Sequence, residues 1–578
     1  MADLKEIVDC INKGNLEEAL KLCDTCENEK NKKFILNFRG AIHLIEGNLD
    51  IAETNFLVAA GIDSKFIDPL KNLYLICLKK RDYKDLLTYA QKLLEADRLE
   101  NEHNYKLAYA FELNNNFKDS IDYYKRYIDK KGKNSKQAFN NIGNIYLKRN
   151  KPKIAINFFK NSLNFGEDKI IINNIFKCYV LLRDLENSDV YYHKAARIDE
   201  NYLEFKYTKA KYLILKNHIV EAIEILKENK NVPRFLVTLI LLNFNLGRNE
   251  EGKKLLIQSK EKMEKDPEYY NYLGLRLLYE GNFNDGWRFY EHRNSKKIDF
   301  FKETKEWSGE KIENKNIVVF AEQGLGDAIQ FSKYIIPLCK IAKKVTFVTK
   351  DSIKSLFQDK LENLNIETIE SCKNKKFDFK IALGSLIKFF FKKKFSKNEN
   401  LIKSNTDLDL KWKKKIPRDK LNVGISWSGS FNGPNEPYRS IPLQELKKLF
   451  TLDVNYYCLQ NEIWDRDLDY FKSLNLMNCG EYKLIEIASI IQNLDLVISS
   501  DTSLLHLSAS LNKETLGILS LYPDWRWSEF NKINPYSNLK IFKQKSFKDW
   551  SEIERLIVTE LQSKIYTFNN SSKLKTNL

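Results

Sequence analysis

The 578 residues predict an α-solenoid of helical hairpins followed by an α/β region made of two Rossmann-like halves. Three observations carry this. A short motif recurs about every 34 residues before 295, apolar runs alternate with helical spacing after 315, and a lysine-rich polar segment near 392–420 divides that second region. A chain this long exceeds what one core can organise and must divide.

The recurring motif begins with Gly, Asn or Arg and ends five residues later on a small or apolar residue that opens a helix. Its last residues are Ala19, Ala52, Leu86, Ser120, Ala155, Ser188, Ala222, Gly252 and Gly286, at intervals of 33, 34, 34, 35, 33, 34, 30 and 34. That period matches the tetratricopeptide repeat, a pair of antiparallel helices in which small residues permit close contact and large ones plug between neighbours. One unit shows the pattern in Phe139, Ile142, Gly143, Tyr146, Ala155 and Phe159. Hairpins of this kind cover one another's apolar faces, so residues 1–295 are expected to stack into a superhelix whose concave surface takes a peptide or protein, the alternative being a spacer or a dimerisation element.

Composition narrows the function. The net charge of +17 is spread along the chain rather than focused with stacking aromatics, which argues against nucleic acid and for solvated lysines. No apolar run approaches the length of a membrane span. The segment LIKFFFKKK over 386–394 leaves peripheral membrane contact open, with a helix or strand end as the plainer reading. Nine cysteines, an odd number, and the charged opening MADLKEIVDC suit a reducing cytoplasm. Cys23 and Cys26 lack a second pair at zinc-ligand spacing, and no metal site is expected.

After a linker at 296–314, the first α/β half spans 315–400, with strands expected from 317, at 345–348 and at 377–383. A linker at 401–420 precedes the second half, 421–565, with strands expected at 422–427, 455–460, 494–499 and 515–519. Helices are expected to start near Pro442, Lys483 and Ser503. The polar residues 566–578 read as a disordered tail.

Four loops carry chemistry. In FAEQGLGDAIQF, 320–331, Gly324 and Gly326 would take positive φ and let a ligand approach the first amides of a helix. The stretch lacks both the full dinucleotide fingerprint and a P-loop Lys-Ser/Thr, and Asp327 reads either as a helix cap or as a base. Ser428, Gly429 and Ser430 follow a strand and could hold phosphate oxygens or form a plain turn. Arg439, with Ser440 as a cap, precedes a helix and could pair with a diphosphate. Asp501, Thr502 and Ser503 run from a strand into a helix that carries His506 one turn in, where a helix-packing histidine is the plainer reading.

In this order the loops resemble a two-domain glycosyltransferase of the GT-B type. They are similar to the bacterial heptosyltransferases and to the glycosyltransferase domain that follows tetratricopeptide arrays in many bacterial proteins. The resemblance rests on Gly286-Trp287 with Tyr290-Glu291 and Arg293, on Trp307, and on Glu322-Gln323-Gly324-Leu325-Gly326-Asp327 with Gln330-Phe331 and Tyr334. Further on it takes in Gly424 to Ser430, Arg439 to Leu443, Asp501-Thr502-Ser503 with His506, and Pro523-Asp524-Trp525-Arg526-Trp527. It implies an inverting transfer from a nucleotide-sugar, the substrate, with no separate cofactor and no metal, to a protein or glycan acceptor. Asp327 would be the general base. Gly324, Gly326, Ser428, Gly429, Ser430, Arg439, Gln460, Asp501, Thr502, Ser503 and His506 would bind the donor. Ser503 stands where heptosyltransferases commonly carry glycine, and Arg439 where lysine is frequent, which leaves the donor's base and sugar open. The alternative is a non-catalytic scaffold that keeps the fold.

Overall fold

The computed structural model describes residues 2–149, 151–259, 263, 266–293, 301, 303–357, 361–372, 374–393, 395, 399–430, 438–528 and 536–576. They form two compact units, Met1–Thr208 and Lys209–Leu578, whose boundary falls inside the helix Leu203–Leu215.

The first unit holds six helical hairpins, from Ala2–Lys13 with Leu16–Cys26 to Lys169–Leu182 with Leu185–Asp199. Their local logic explains the motif. Its first residue ends the preceding helix in the left-handed region: Gly14, Gly47, Arg81, Asn115 and Arg183 here, and Asn217, Gly247 and Gly281 in the second unit, at φ from 57° to 85°. A C-terminal cap in that conformation favours Gly and Asn, which is why these residues recur. The ninth position, Asn150, lies outside the described residues. The next motif residue caps the following helix where it is Asp: Asp82 accepts from the Asp85 amide at 3.1 Å and Asp184 from the Asn187 amide at 3.0 Å. Small positions face rings. A Cβ on Gly143 would stand 2.5 Å from Phe159, and one on Gly40 2.6 Å from Phe56.

After the boundary helix, the second unit holds the helix Ile219–Glu228 and two hairpins, Pro233–Asn245 with Asn249–Gln258 and Pro267–Tyr279 with Phe283–Tyr290. Two sheets follow. The first joins β1 (Lys305–Glu306), β2 (Asn316–Phe320), β3 (Lys344–Thr349), β4 (Leu364–Thr368) and β5 (Phe379–Ala382) in the order β1-β5-β2-β3-β4, all parallel. The second joins β6 (Asn422–Ser426), β7 (Asn455–Cys458), β8 (Met477–Asn478), β9 (Leu496–Ser500), β10 (Thr515–Leu519) and β11 (Leu539–Lys543) in the order β11-β10-β9-β6-β7-β8. These pairs are parallel as well. Both are doubly wound. The strand order reverses between β2 and β5 in one sheet and between β6 and β9 in the other, and the carboxyl ends of strands at such a switch point form a ligand crevice.

Several boundaries differ from the sequence reading. The compact division falls at 208 and not near 295, because Leu278, Trp287 and Tyr290 of the last hairpin share one core with Ile317 and Val319 of β2 and with Trp525. The expected linker 296–314 contributes β1, whose neighbour Trp307 is buried against Phe389 with ring centroids 4.5 Å apart. The expected linker 401–420 holds the helix Thr406–Lys415, capped by Asn405 and anchored by buried Trp412, whose Nε1 donates to Glu486 at 3.1 Å. The expected tail continues the helix Ser551–Thr576, since Ile557, Leu561, Ile565 and Phe568 extend one apolar stripe onto the second sheet's core. Strands β4, β8 and β11 were not foreseen; β8 has two residues, and Ile366 of β4 and Phe542 of β11 are inward members of mixed polar runs. The 386–394 segment ends the helix Leu383–Phe390, and its rings turn inward. Phe389 lies on Trp307, and Phe391 lies 5.2 Å from Phe283 and 6.2 Å from Trp287. Lys394 is outside the described residues. Among the described residues no helix is long and apolar enough to cross a membrane.

Candidate active site

The site is built from the loops at the two switch points. After β2, the chain turns through Ala321 to Gln323 and enters the helix Leu325–Phe331, with Gly324 as its cap. Gly324 has φ of −69°, and Gly326 is not among the residues of positive φ, so neither supplies the left-handed turn expected of it. Their roles are different. Gly324 gives its amide to Asp327 Oδ2 at 3.0 Å, so Asp327 does cap its helix. Gly326 permits contact: a Cβ there would stand 3.0 Å from His506 Cδ2 and 3.3 Å from Ser503 Cα. The helices Leu325–Phe331 and Ser503–Ser510 therefore touch across the two sheets at a glycine.

The first loop is braced from the last hairpin. Arg293 donates to Glu322 Oε1 from Nε at 3.0 Å and from Nη2 at 2.7 Å, with both side chains no more than 2% exposed. The same carboxylate accepts from the Gly384 amide after β5 at 3.2 Å, and Arg293 Nη2 also reaches Ser385 Oγ at 2.8 Å. Burial pushes the Glu322 carboxyl up, and the guanidinium pulls against it. Tyr290 and Gln323 share a hydrogen bond at 2.7 Å.

In the second half, Gln460 holds the loop after β6. Its Oε1 accepts from the amides of Trp427 and Ser428 at 2.9 and 3.2 Å, and its Nε2 donates to Ser428 Oγ and Glu462 O, both at 2.9 Å. Its polar atoms are thus engaged within the protein, and it braces the loop after β6. Gly429 gives its amide to Ser440 Oγ at 3.2 Å, and a Cβ there would meet Arg439 Nη2 at 2.6 Å, so the glycine makes room for the guanidinium. Arg439 Nη1 donates to the Asp501 carbonyl at 3.2 Å, joining the loops after β6 and β9. Ser430 is exposed at the end of the described loop.

Ser499 and Thr502 hydroxyls lie 3.2 Å apart at the start of Ser503–Ser510. Burial and Asp524 raise the Asp501 carboxyl, against Arg526 and Arg439. Burial, reinforced by Arg526, Lys333 and Arg439, holds His506 well below the ordinary histidine range. Its Nε2 lies 3.9 Å from Asp501 Oδ1. The ring stacks on Trp527 at 5.6 Å and 11°, with Nδ1 3.2 Å from Tyr536 OH. It stands beside Gly326 at the edge of the crevice.

Arg526, to which the sequence reading gave no role, joins the two halves. Arg526 sends Nη1 to Asp327 Oδ1 at 2.8 Å and to Gln330 Oε1 at 2.9 Å, and Nε to Asp524 Oδ1 at 2.6 Å. Burial works against its charge, but Asp524, Asp327 and Asp501 overcome that and hold its pKa well above the ordinary value. The available signal was Trp525-Arg526-Trp527, since an arginine between two tryptophans belongs to no solvated loop. Beside it, Gln330, Lys333 and Arg526 line a cavity of about 20 Å³ walled by rings, room for a single water.

Residues 459–552 match the family model described as glycosyltransferase family 9 (heptosyltransferase). The match takes in Asp501 to His506 and Arg526 and leaves out Asp327 and Arg439. No curated protein matches the chain. Among solved structures, the glycosyl transferase family 9 protein of Veillonella parvula is similar over 43% of this chain and 92% of its own, at 13% identity and a TM-score of 0.31. PilF of Pseudomonas aeruginosa is similar over 36% and 96%, at 13% and 0.31. MamA of Desulfovibrio magneticus is similar over 28% and 95%, at 18% and 0.26. The chain carries amino-terminal helical repeats, and its residues 459–552 are similar to the family 9 model.

Proposed function

We propose that the second unit is a glycosyltransferase that moves a sugar from a nucleotide-sugar to an acceptor hydroxyl with inversion. One observation carries the reading: the switch-point loops of both sheets meet, Gly326 against Ser503 and His506, with Asp327 on one side and Arg439, Ser428 and the start of Ser503–Ser510 on the other. Asp327 takes the hydroxyl proton as that oxygen attacks the anomeric carbon. The bond to the nucleoside diphosphate breaks, and its growing charge falls to Arg439, to the hydroxyls of Ser428 and Ser430, and to the free amides after Thr502. The reading extends to the repeats, where a groove of about 280 Å³ lined by Asn37, Phe38, Lys71 and Asn72 supports a peptide or protein acceptor.

Thermal-shift and calorimetric titration of the full chain with UDP, GDP, ADP and CMP and their sugars tests this, with Arg439→Ala beside it. One nucleotide class is expected to raise the melting temperature of the wild type, since a ligand binding only the folded state stabilises it, and to lose at least tenfold in affinity in the variant. No binding by any nucleotide would overturn the enzyme reading in favour of a scaffold.

A further inference from the structure

We infer that Arg526 is the positioning residue for Asp327, and that it acts from the opposite half of the fold; this rests on Asp327 being the base. Asp327 sits on the helix after β2, in the first sheet's half, whereas Arg526 lies between β10 and β11 in the second. Their 2.8 Å pair crosses the crevice.

The guanidinium is fixed before it reaches Asp327. Asp524 holds Nε at 2.6 Å and also accepts from the Arg526 amide at 3.2 Å, so the pair is locked within one turn. The rings of Phe331 and Trp525 lie 5.0 and 5.8 Å from the guanidinium carbon. Trp525 is itself held edge-on by Trp287 at 5.2 Å and 89°. The side chains of Arg526 and Asp327 are 15% and 23% exposed, so water competes little for the pair.

The consequence for the base is geometric. Oδ2 is taken by the Gly324 amide and Oδ1 by Arg526, which stops the carboxylate from turning. Each oxygen keeps a second lone pair, so a substrate hydroxyl can still donate to Asp327. Because one of the two restraints comes from the other half, the base is oriented only while the halves are in contact. A planar fork can serve Asp327, Gln330 and Asp524 together, whereas an ammonium presents no such fixed geometry.

The test uses the full chain and whichever UDP, GDP, ADP or CMP sugar it binds, following release of the nucleotide in the wild type, Arg526→Lys, Asp327→Asn and the double variant. Arg526→Lys is expected to lower kcat about 100-fold with donor KM changed by less than about threefold, and the double variant to be no slower than Asp327→Asn alone. A purely structural arginine would instead slow the double variant multiplicatively. That result, or an Arg526→Lys enzyme with the wild-type kcat, overturns the proposal. Should Arg526→Lys fail to fold, Asp524→Asn removes the anchor while keeping the guanidinium. It is expected to cost roughly tenfold in kcat at unchanged donor affinity, and a wild-type kcat there overturns the proposal equally. A wild type that turns over no donor overturns the transfer reading, and this one with it.

Discussion

Lys333 lies beside Arg526 and Gln330 in the small cavity next to Asp327. Its residue is 8% exposed, and its ammonium faces the rings of Phe395, Tyr334 and Tyr536 at 5.1, 5.5 and 6.0 Å. Burial lowers its pKa to about 8 from 10.5. Between those values the unfolded chain holds a proton that the folded chain lacks, so this residue makes stability rise with pH from about 8 to 10.5 and leaves its full cost below 8. Lys333→Met keeps the apolar stem without the charge. It is expected to raise unfolding free energy at pH 7 by ~2–3 kcal/mol, a gain that shrinks towards pH 10. Urea unfolding at both pH values reads it, and an equal gain at each would show that the charge is not the cause.

At the scale of elements, the repeat motif reports helix termination as much as helix contact. Arg81 and Arg183 occupy the left-handed cap at φ of 58° and 57°, where side chains other than Gly, Asn and Asp are strained by ~1 kcal/mol. Arg81→Gly and Arg183→Gly are each expected to leave the hairpins intact and to stabilise the first unit by up to ~1 kcal/mol, measured as a shift in its denaturation midpoint. Loss of stability in both would mean that the arginine side chains make contacts worth more than the strain. The motif was legible because backbone conformation at a helix end depends on few neighbours. Short β8 was not legible, since two residues carry no period.

For the whole molecule, the repeats and the α/β region do not part where the helical period ends. A chain starting at Asn201 keeps Trp287, Tyr290 and Arg293 in the core they share with β2 and Trp525. It is expected to fold and to bind nucleotide as the full chain does. A chain starting at Phe301 leaves Glu322 without Arg293, and breaking a buried pair this way costs roughly 3–5 kcal/mol. It is expected to be unstable or insoluble. Circular dichroism and nucleotide titration of both distinguish the cases, and a well-folded, binding-competent second fragment would refute the shared core.

The sequence by itself determined the hairpins, the parallel strands with strong apolar runs, and the loops on which Asp327, Ser428, Arg439 and Asp501 stand. Each of these follows from local periodicity and turn chemistry, which are written along the chain. Tertiary structure alone decided that Gly326 is a point of contact rather than a left-handed turn, that Gln460 braces a loop, and that Arg526 holds Asp327. Those facts depend on partners far apart in sequence, Arg526 and Asp327 being 199 residues apart. No period or spacing in a single chain encodes which distant surfaces will meet, because that is set by how the two sheets and the last hairpin exclude water together.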